Sequence, residues 1–385
     1  MSRAYYSKAI KEFLADDDSF ILGELVRNHQ FALEELQRNS WIQQIHFRED
    51  ALSVERAPTE KVVIFDEAQR AWTLEQTSAF MQKKKGVFGF NMSEPEFLIS
   101  IMDRHDDWAV IICLIGGGQE INTGEAGLPE WFNALKKYCT YWQVFISDKL
   151  SDVEYCRGLE LENILEGLNV TTFEELHLNT SIRSFRSENV SKLVKAVLDC
   201  DQVQAKELLM KLKDKYPIVI SRDFERAKLW LKDKARGTER IGLVASSGGY
   251  RLKPYGICTQ IKIDAKNWFL NSKDDVRSSF YLEDVATEFD VQGLELDWTC
   301  VAWDADLRYQ DGQWNFKKFR GTKWQNVNNT DAILYLKNAY RVLLTRARQG
   351  MVIFIPSGDD SDSTRKSCYY DGTYNYLKGI GFECI

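Results

Sequence analysis

An α/β fold with parallel sheets is predicted by three features of the 385-residue chain. From residue 61 onward, short apolar runs alternate with amphipathic stretches, as strands do when helices connect them. Polar motifs sit directly behind two of those runs, where open parallel sheets bind ligands. The composition, 44% hydrophobic and 28% charged, is that of a soluble globular protein, long enough for two or three domains.

The elements follow in order. Between Ser19 and Phe47, residues such as Leu22, Leu25, Val26, Leu33, Leu36, Trp41 and Ile45 recur at three- and four-residue spacing, so residues 1–50 are expected to be helical. The pattern stops around Arg48–Pro58. Strands are then expected at Val62–Phe65, Ala109–Ile115, Gln143–Ile146, Pro217–Ile220, Ile241–Ala245, Cys300–Trp303 and Met351–Ile355. Helices are expected at Glu94–His105, Leu128–Tyr138, Asn189–Leu198, Gln202–Lys213, Arg222–Ala235 and Ile333–Ala347. The Asp- and Ser-rich stretch Gly358–Lys366 reads as a solvated loop before a short last helix.

Composition excludes several classes. No apolar run approaches the ~18 residues of a membrane span, and the start, Met-Ser-Arg-Ala-Tyr-Tyr, lacks the layout of a secretory signal. The eight cysteines are scattered without a C-x-x-C pair, which points to reduced thiols and a cytoplasmic location. A net charge of −7 argues against coating nucleic acid by bulk electrostatics. It leaves room for holding a single strand in a narrow groove.

Five motifs carry the chemistry. In Lys61-Val-Val-Ile-Phe-Asp-Glu-Ala-Gln-Arg70 an apolar strand ends in two carboxylates, Asp66 and Glu67. That arrangement presents one carboxylate to Mg²⁺ and a second, as general base, to an attacking water. Taken alone, the pair reads equally well as a helix cap with a solvated neighbour. Ile115-Gly-Gly-Gly-Gln119-Glu120 follows the second strand. Gly117 and Gly118 let the backbone approach a ligand, and Gln119 can bond a phosphate or a water, although a plain glycine turn reads as well. Leu178-Asn-Thr-Ser-Ile-Arg183-Ser184 offers an arginine, either a cap on the next helix or a charge that reaches a phosphate. Thr287-Glu-Phe-Asp-Val-Gln292-Gly293-Leu-Glu295-Leu-Asp297 reads as a strand, a glycine turn and then a carboxylate. In Asn338-Ala-Tyr-Arg-Val-Leu-Leu-Thr-Arg346-Ala-Arg348 a helix is expected to carry Arg341, Thr345 and Arg348 on one face, with Arg346 turned away.

In this order the five motifs resemble motifs II to VI of superfamily 1 helicases. Asp-Glu-Ala-Gln-Arg-Ala-Trp, Val-Gln-Gly-Leu-Glu-Leu-Asp and Leu-Leu-Thr-Arg-Ala-Arg are most similar to the Schlafen-group-3-like DNA/RNA helicase domain family, over roughly residues 58–385. The resemblance implies two RecA-like P-loop NTPase lobes, a first at 51–178 and a second at 179–385, behind the helical segment 1–50. It implies ATP and Mg²⁺ as cofactors and single-stranded DNA or RNA as partner. Asp66 is then the metal carboxylate, with Glu67, Gln119, Arg183 and Arg346 catalytic. Gly117, Gly118, Gln292, Gly293 and Glu295 are the expected nucleotide-contacting or coupling residues.

One departure stands against this. No Gly-Lys dipeptide occurs anywhere in the chain. Only about ten residues separate the N-terminal pattern from the strand at Val62, whereas a phosphate-loop strand, loop and helix need ~25–30. The first lobe is therefore expected to be incomplete, with an exposed strand edge and impaired hydrolysis. The alternative expectation is a non-hydrolysing relative that binds nucleic acid or a protein through the second lobe.

Overall fold

A computed structural model of the chain describes residues 56–116, 127–151, 160–177, 185–213 and 215–385. The expected N-terminal helices lie outside the described residues. The chain divides into two compact units, one ending at Asp66 and resuming over Glu94–Leu114, the other comprising Glu67–Ser93 and Ile115–Ile385.

The smaller unit contains β1 (Val62–Phe65), then in the larger unit comes α1 (Leu74–Phe80), and the smaller resumes with α2 (Glu94–Met102) and β2 (Val110–Cys113). β1 and β2 pair in parallel from Val62↔Val110 to Phe65↔Cys113. Among the described residues this sheet has two strands. Val62 and Ile64 are about half exposed on it, while Phe97, Leu98, Ile99, Ile101 and Met102 of α2 are buried. Lys61 pairs with Asp107 and lies 4.9 Å from the Trp108 ring, tying the start of β1 to the approach to β2.

The larger unit continues with α3 (Leu128–Tyr138), β3 (Gln143–Ser147), α4 (Leu161–Leu165) and β4 (Asn169–Phe173). β3 and β4 form a second two-stranded parallel sheet. Leu128, Phe132, Ile146, Leu150 and Ile164 close a small core beneath it.

From residue 185 the elements are α5 (Phe185–Leu198), α6 (Gln202–Leu212), β5 (Ile218–Ser221), α7 (Phe224–Lys234), β6 (Ile241–Ala245), α8 (Ala265–Leu270), β7 (Val285–Ala286), α9 (Glu288–Val291) and β8 (Leu296–Ala302). They continue through β9 (Leu307–Gln310), β10 (Gln313–Arg320), β11 (Lys323–Asn326), α10 (Thr330–Leu344), β12 (Ala347–Phe354), α11 (Cys368–Ile380) and β13 (Glu383–Cys384). Six strands make one parallel sheet in the order β13-β5-β12-β8-β6-β7. Strands β5, β6 and β8 are buried throughout, which is why their sequences are nearly continuous apolar runs rather than alternating ones. One face packs on Leu193, Val197, Leu209, Tyr340, Leu343 and Leu377 from α5, α6, α10 and α11. The other packs on Ala227 and Leu231 of α7, with Leu252, Ile257 and Leu282.

The structure corrects three sequence expectations. The helix expected to run to Ala347 stops at Leu344, and Arg346 and Arg348 are not helical. Ala347 instead opens β12 opposite Leu296, with the Leu296 amide donating to the Arg346 carbonyl at 3.0 Å. Strand pairing with β8 overrides a local sequence of good helix formers. Next, Glu288–Val291 is a single helical turn, held by a Thr287–Asp290 capping box, and the strand follows the Gly293 turn instead of preceding it. Lastly, residues 307–326 form an antiparallel three-stranded ribbon, β11-β10-β9, that parallel-sheet reasoning omits. Its first turn, Asp311-Gly312, has positive φ at both positions (53° and 80°), the two-residue hairpin geometry that Asp-Gly favours.

Candidate functional site

The carboxylate turn after β1 is built on Gln69. Glu67 adopts the left-handed conformation (φ 54°, ψ 41°) and starts a 3₁₀ turn, Ala68–Arg70. The Gln69 side chain is buried, and its Nε2 donates to Glu67 Oε2 at 2.7 Å. Its Oε1 accepts from the Gly116 amide at 3.1 Å, and its carbonyl accepts from the Gly127 amide. Trp131 Nε1 donates to the Ala68 carbonyl at 2.8 Å. Glu67 is thereby joined through Gln69 to Gly116, the first glycine of the glycine-rich motif. Asp66, at the end of the smaller unit, is exposed. Gln119, Gly117, Gly118 and Arg183 lie outside the described residues.

The last two motifs meet at the leading edge of the six-stranded sheet. Arg346 immediately precedes β12 and Glu295 immediately precedes β8, and the strands pair with Ala347 opposite Leu296. Arg346 is buried, its Nε donating to the Val342 carbonyl at 3.1 Å and its Nη1 to the Leu294 carbonyl at 3.4 Å. The Gly293 turn (φ 78°) is therefore laced directly to Arg346. Arg348 pairs with Asp297 at 2.7 Å, and Asp297 also accepts from the Arg240 amide. So Gln292, Gly293, Glu295 and Arg346 are neighbours, gathered where β8 and β12 begin rather than where they end.

Sequence reasoning missed a polar cluster at the opposite edge. Asp304 and Asp306 follow β8 and are buried. Asp304 accepts from the Arg251 amide at 2.8 Å and from Tyr370 Oη at 3.0 Å. Asp306 accepts from Tyr340 Oη at 2.5 Å and Ser246 Oγ at 2.6 Å. Alongside, buried Glu288 accepts from the amide and hydroxyl of Ser247. Burial pushes all three carboxyls above the usual carboxylate range, and the neighbouring Asp306 adds to the rise at Asp304. The signal was present in the sequence. Val301-Ala-Trp-Asp-Ala-Asp306 is an apolar strand followed by carboxylates, the same pattern that marks Asp66 and Glu67.

Comparison with protein families matches residues 8–357 to the Schlafen group 3, DNA/RNA helicase domain. The chain belongs to that family. No match was found among curated proteins. For this Schlafen group 3 domain, the helicase-like motifs and the Gly293–Arg346 lacing fall within one matched segment. Among its described residues no helix is long and apolar enough to cross a membrane.

The donor set fits a bound Mg·ATP only in part. Asp66 offers one exposed carboxylate at a strand end, the type of oxygen ligand Mg²⁺ takes. The lysine and hydroxyl that follow the glycines of a phosphate-binding loop have no counterpart. Ser247-Gly248-Gly249 runs on into Tyr250 and Arg251, and its three amides already donate to Glu288, the Ser246 hydroxyl and the Ser246 carbonyl.

Proposed function

We propose that this chain is a superfamily 1 helicase-like DNA/RNA translocase in descent, with two RecA-like lobes and ATP hydrolysis impaired by the missing phosphate-binding loop. In that reading Asp66 holds Mg²⁺ and Glu67 is the general base. Gln119 and Arg183 face the phosphates, Arg346 acts from its buried seat behind the Gly293 turn, and Gln292, Gly293 and Glu295 couple the nucleotide to a single strand. The observation that carries it is the joining of Arg346 to the Gly293–Glu295 turn at one sheet edge, in a chain that belongs to the helicase family.

The absent lysine favours a second reading, a non-hydrolysing relative that holds a nucleic acid or protein partner without a motor stroke. The two are separated by the affinity for a labelled single strand with and without Mg·ATP, alongside ATP turnover. A motor changes affinity by about fivefold or more on adding ATP. Its Glu67→Gln variant loses about 100-fold in turnover. Strand binding indifferent to ATP, with no turnover, selects the non-hydrolysing relative. A chain that neither binds strands nor turns over ATP fits neither as a nucleic-acid protein.

A further inference from the structure

The β10–β11 hairpin is a strongly basic element of an acidic chain. From Gly312 to Thr330 there is no acidic residue, while Lys317, Lys318, Arg320 and Lys323 fall within seven positions. The antiparallel register sets Arg320 directly opposite Lys323, and Lys318 opposite Gln325. By the two-residue period these four share one face, and all four are exposed. Like charges facing each other across a strand pair repel. Among the described residues, Lys318, Arg320 and Lys323 have no ion-pair partner, although the chain carries 57 acidic side chains.

The opposite face explains how the hairpin keeps this geometry. Phe319 packs edge-on against Trp324 at 5.1 Å, and Trp324 Nε1 donates to the Thr364 carbonyl at 2.8 Å. Buried Arg308 of β9 donates to the Ala305 carbonyl at 2.6 Å and stacks 3.7 Å from Tyr369 and 4.9 Å from Trp324. Lys317 donates to Asn326 at 2.5 Å. The ribbon is anchored on one face and charged on the other.

We infer that this charged face of β10–β11 binds the phosphodiester backbone of a single-stranded nucleic acid. The inference deepens the proposed function by assigning the strand a surface, and it rests on that reading. Lys318 and Arg320 repeat every second residue, about 6.7 Å apart, which suits successive phosphates of a stretched strand. Gln325 and Thr322 add exposed polar groups between the cations. No large apolar side chain is exposed on the hairpin, so it lacks the wedge with which a cationic element enters a lipid surface.

The test compares the full chain with two triple variants, Lys318→Glu/Arg320→Glu/Lys323→Glu and the neutral Lys318→Gln/Arg320→Gln/Lys323→Gln. Each is titrated with oligo-dT and oligo-rU over a range of salt. Near-UV circular dichroism verifies the fold, and the neutral variant carries the test alone if charge reversal prevents folding. The expected result is at least tenfold weaker binding at ~0.1 M salt, with the slope of log affinity on log salt flattened by about 2 for three lost contacts. Lys318→Arg/Lys323→Arg is expected to bind like the parent. The DNA and RNA arms report which strand is preferred. If the parent binds strands and the folded variants bind them equally well, the hairpin assignment falls while the proposed function stands. If the parent binds neither strand, both fall. A variant that loses only its adsorption to phosphatidylserine-containing vesicles overturns the assignment in favour of a membrane.

Discussion

Asp304 shows what burial does to a single side chain here. Its carboxyl is pushed up to about 7, chiefly by burial and then by the Asp306 charge. An unfolded aspartate titrates near ~3.9, so the folded state binds the proton more tightly. The stability contributed by the protonated form is fully present below the unfolded value and is lost as pH rises through the folded one. Between about pH 4 and pH 7 the parent should therefore lose stability relative to Asp304→Asn, by an amount on the order of a few kcal/mol. Thermal melts of both proteins across that range measure it, and parallel curves would count against the shift. Arg346 is buried as well. Its guanidinium supports the Val342 and Leu294 carbonyls from a buried position, so Arg346→Ala should cost about 2 kcal/mol of folding stability, read by denaturant unfolding. Lost activity in that variant has to be compared with this structural loss. The motif residue was legible in the sequence, but its mounting was not, because the mounting is a strand register.

At the scale of elements, Gly372 decides how α11 approaches β9. A Cβ at this helical position would lie 1.9 Å from the Tyr309 carbonyl oxygen, a backbone atom that cannot step aside. Alanine, ordinarily better than glycine inside a helix by about 1 kcal/mol, should here destabilise by about 2–3 kcal/mol. Chemical denaturation of Gly372→Ala gives the sign directly. The strands at Val62–Phe65 and Ile241–Ala245 and the helix Leu128–Tyr138 were legible to the residue, because apolar runs and amphipathic periods mark them without tertiary help. β10 and β11 were not. Gln, Asn and Lys fill more than half of their positions, and Trp324 is held by the Thr364 carbonyl and by Arg308 of β9. The Asp311-Gly312 dipeptide was the one local cue. The end of α10 was equally hidden, since nothing in Val342-Leu-Leu-Thr-Arg-Ala stops a helix until β8 supplies a partner.

At the scale of the whole molecule, order among the described residues should follow sheet size. Two-stranded sheets are marginal on their own, whereas inner strands of a six-stranded sheet open only with the global unfolding of their core. Hydrogen exchange is expected to be fast in β1–β2 and β3–β4 and slow in β8 and β12. Equal protection in all four would mean that the small sheets are braced as well as the large one. Most of the α/β class was readable from alternation alone, and the family from five ordered motifs. The buried carboxylates and the basic ribbon were less so, since both depend on which strand ends the topology gathers. Trp303 and Trp314 stack with ring centroids 5.4 Å apart, both nearly sealed from solvent. Such a pair should give the domain a built-in optical gauge, a blue-shifted emission that reddens when the core around the six-stranded sheet comes apart and stays put when only β1–β2 and β3–β4 fray.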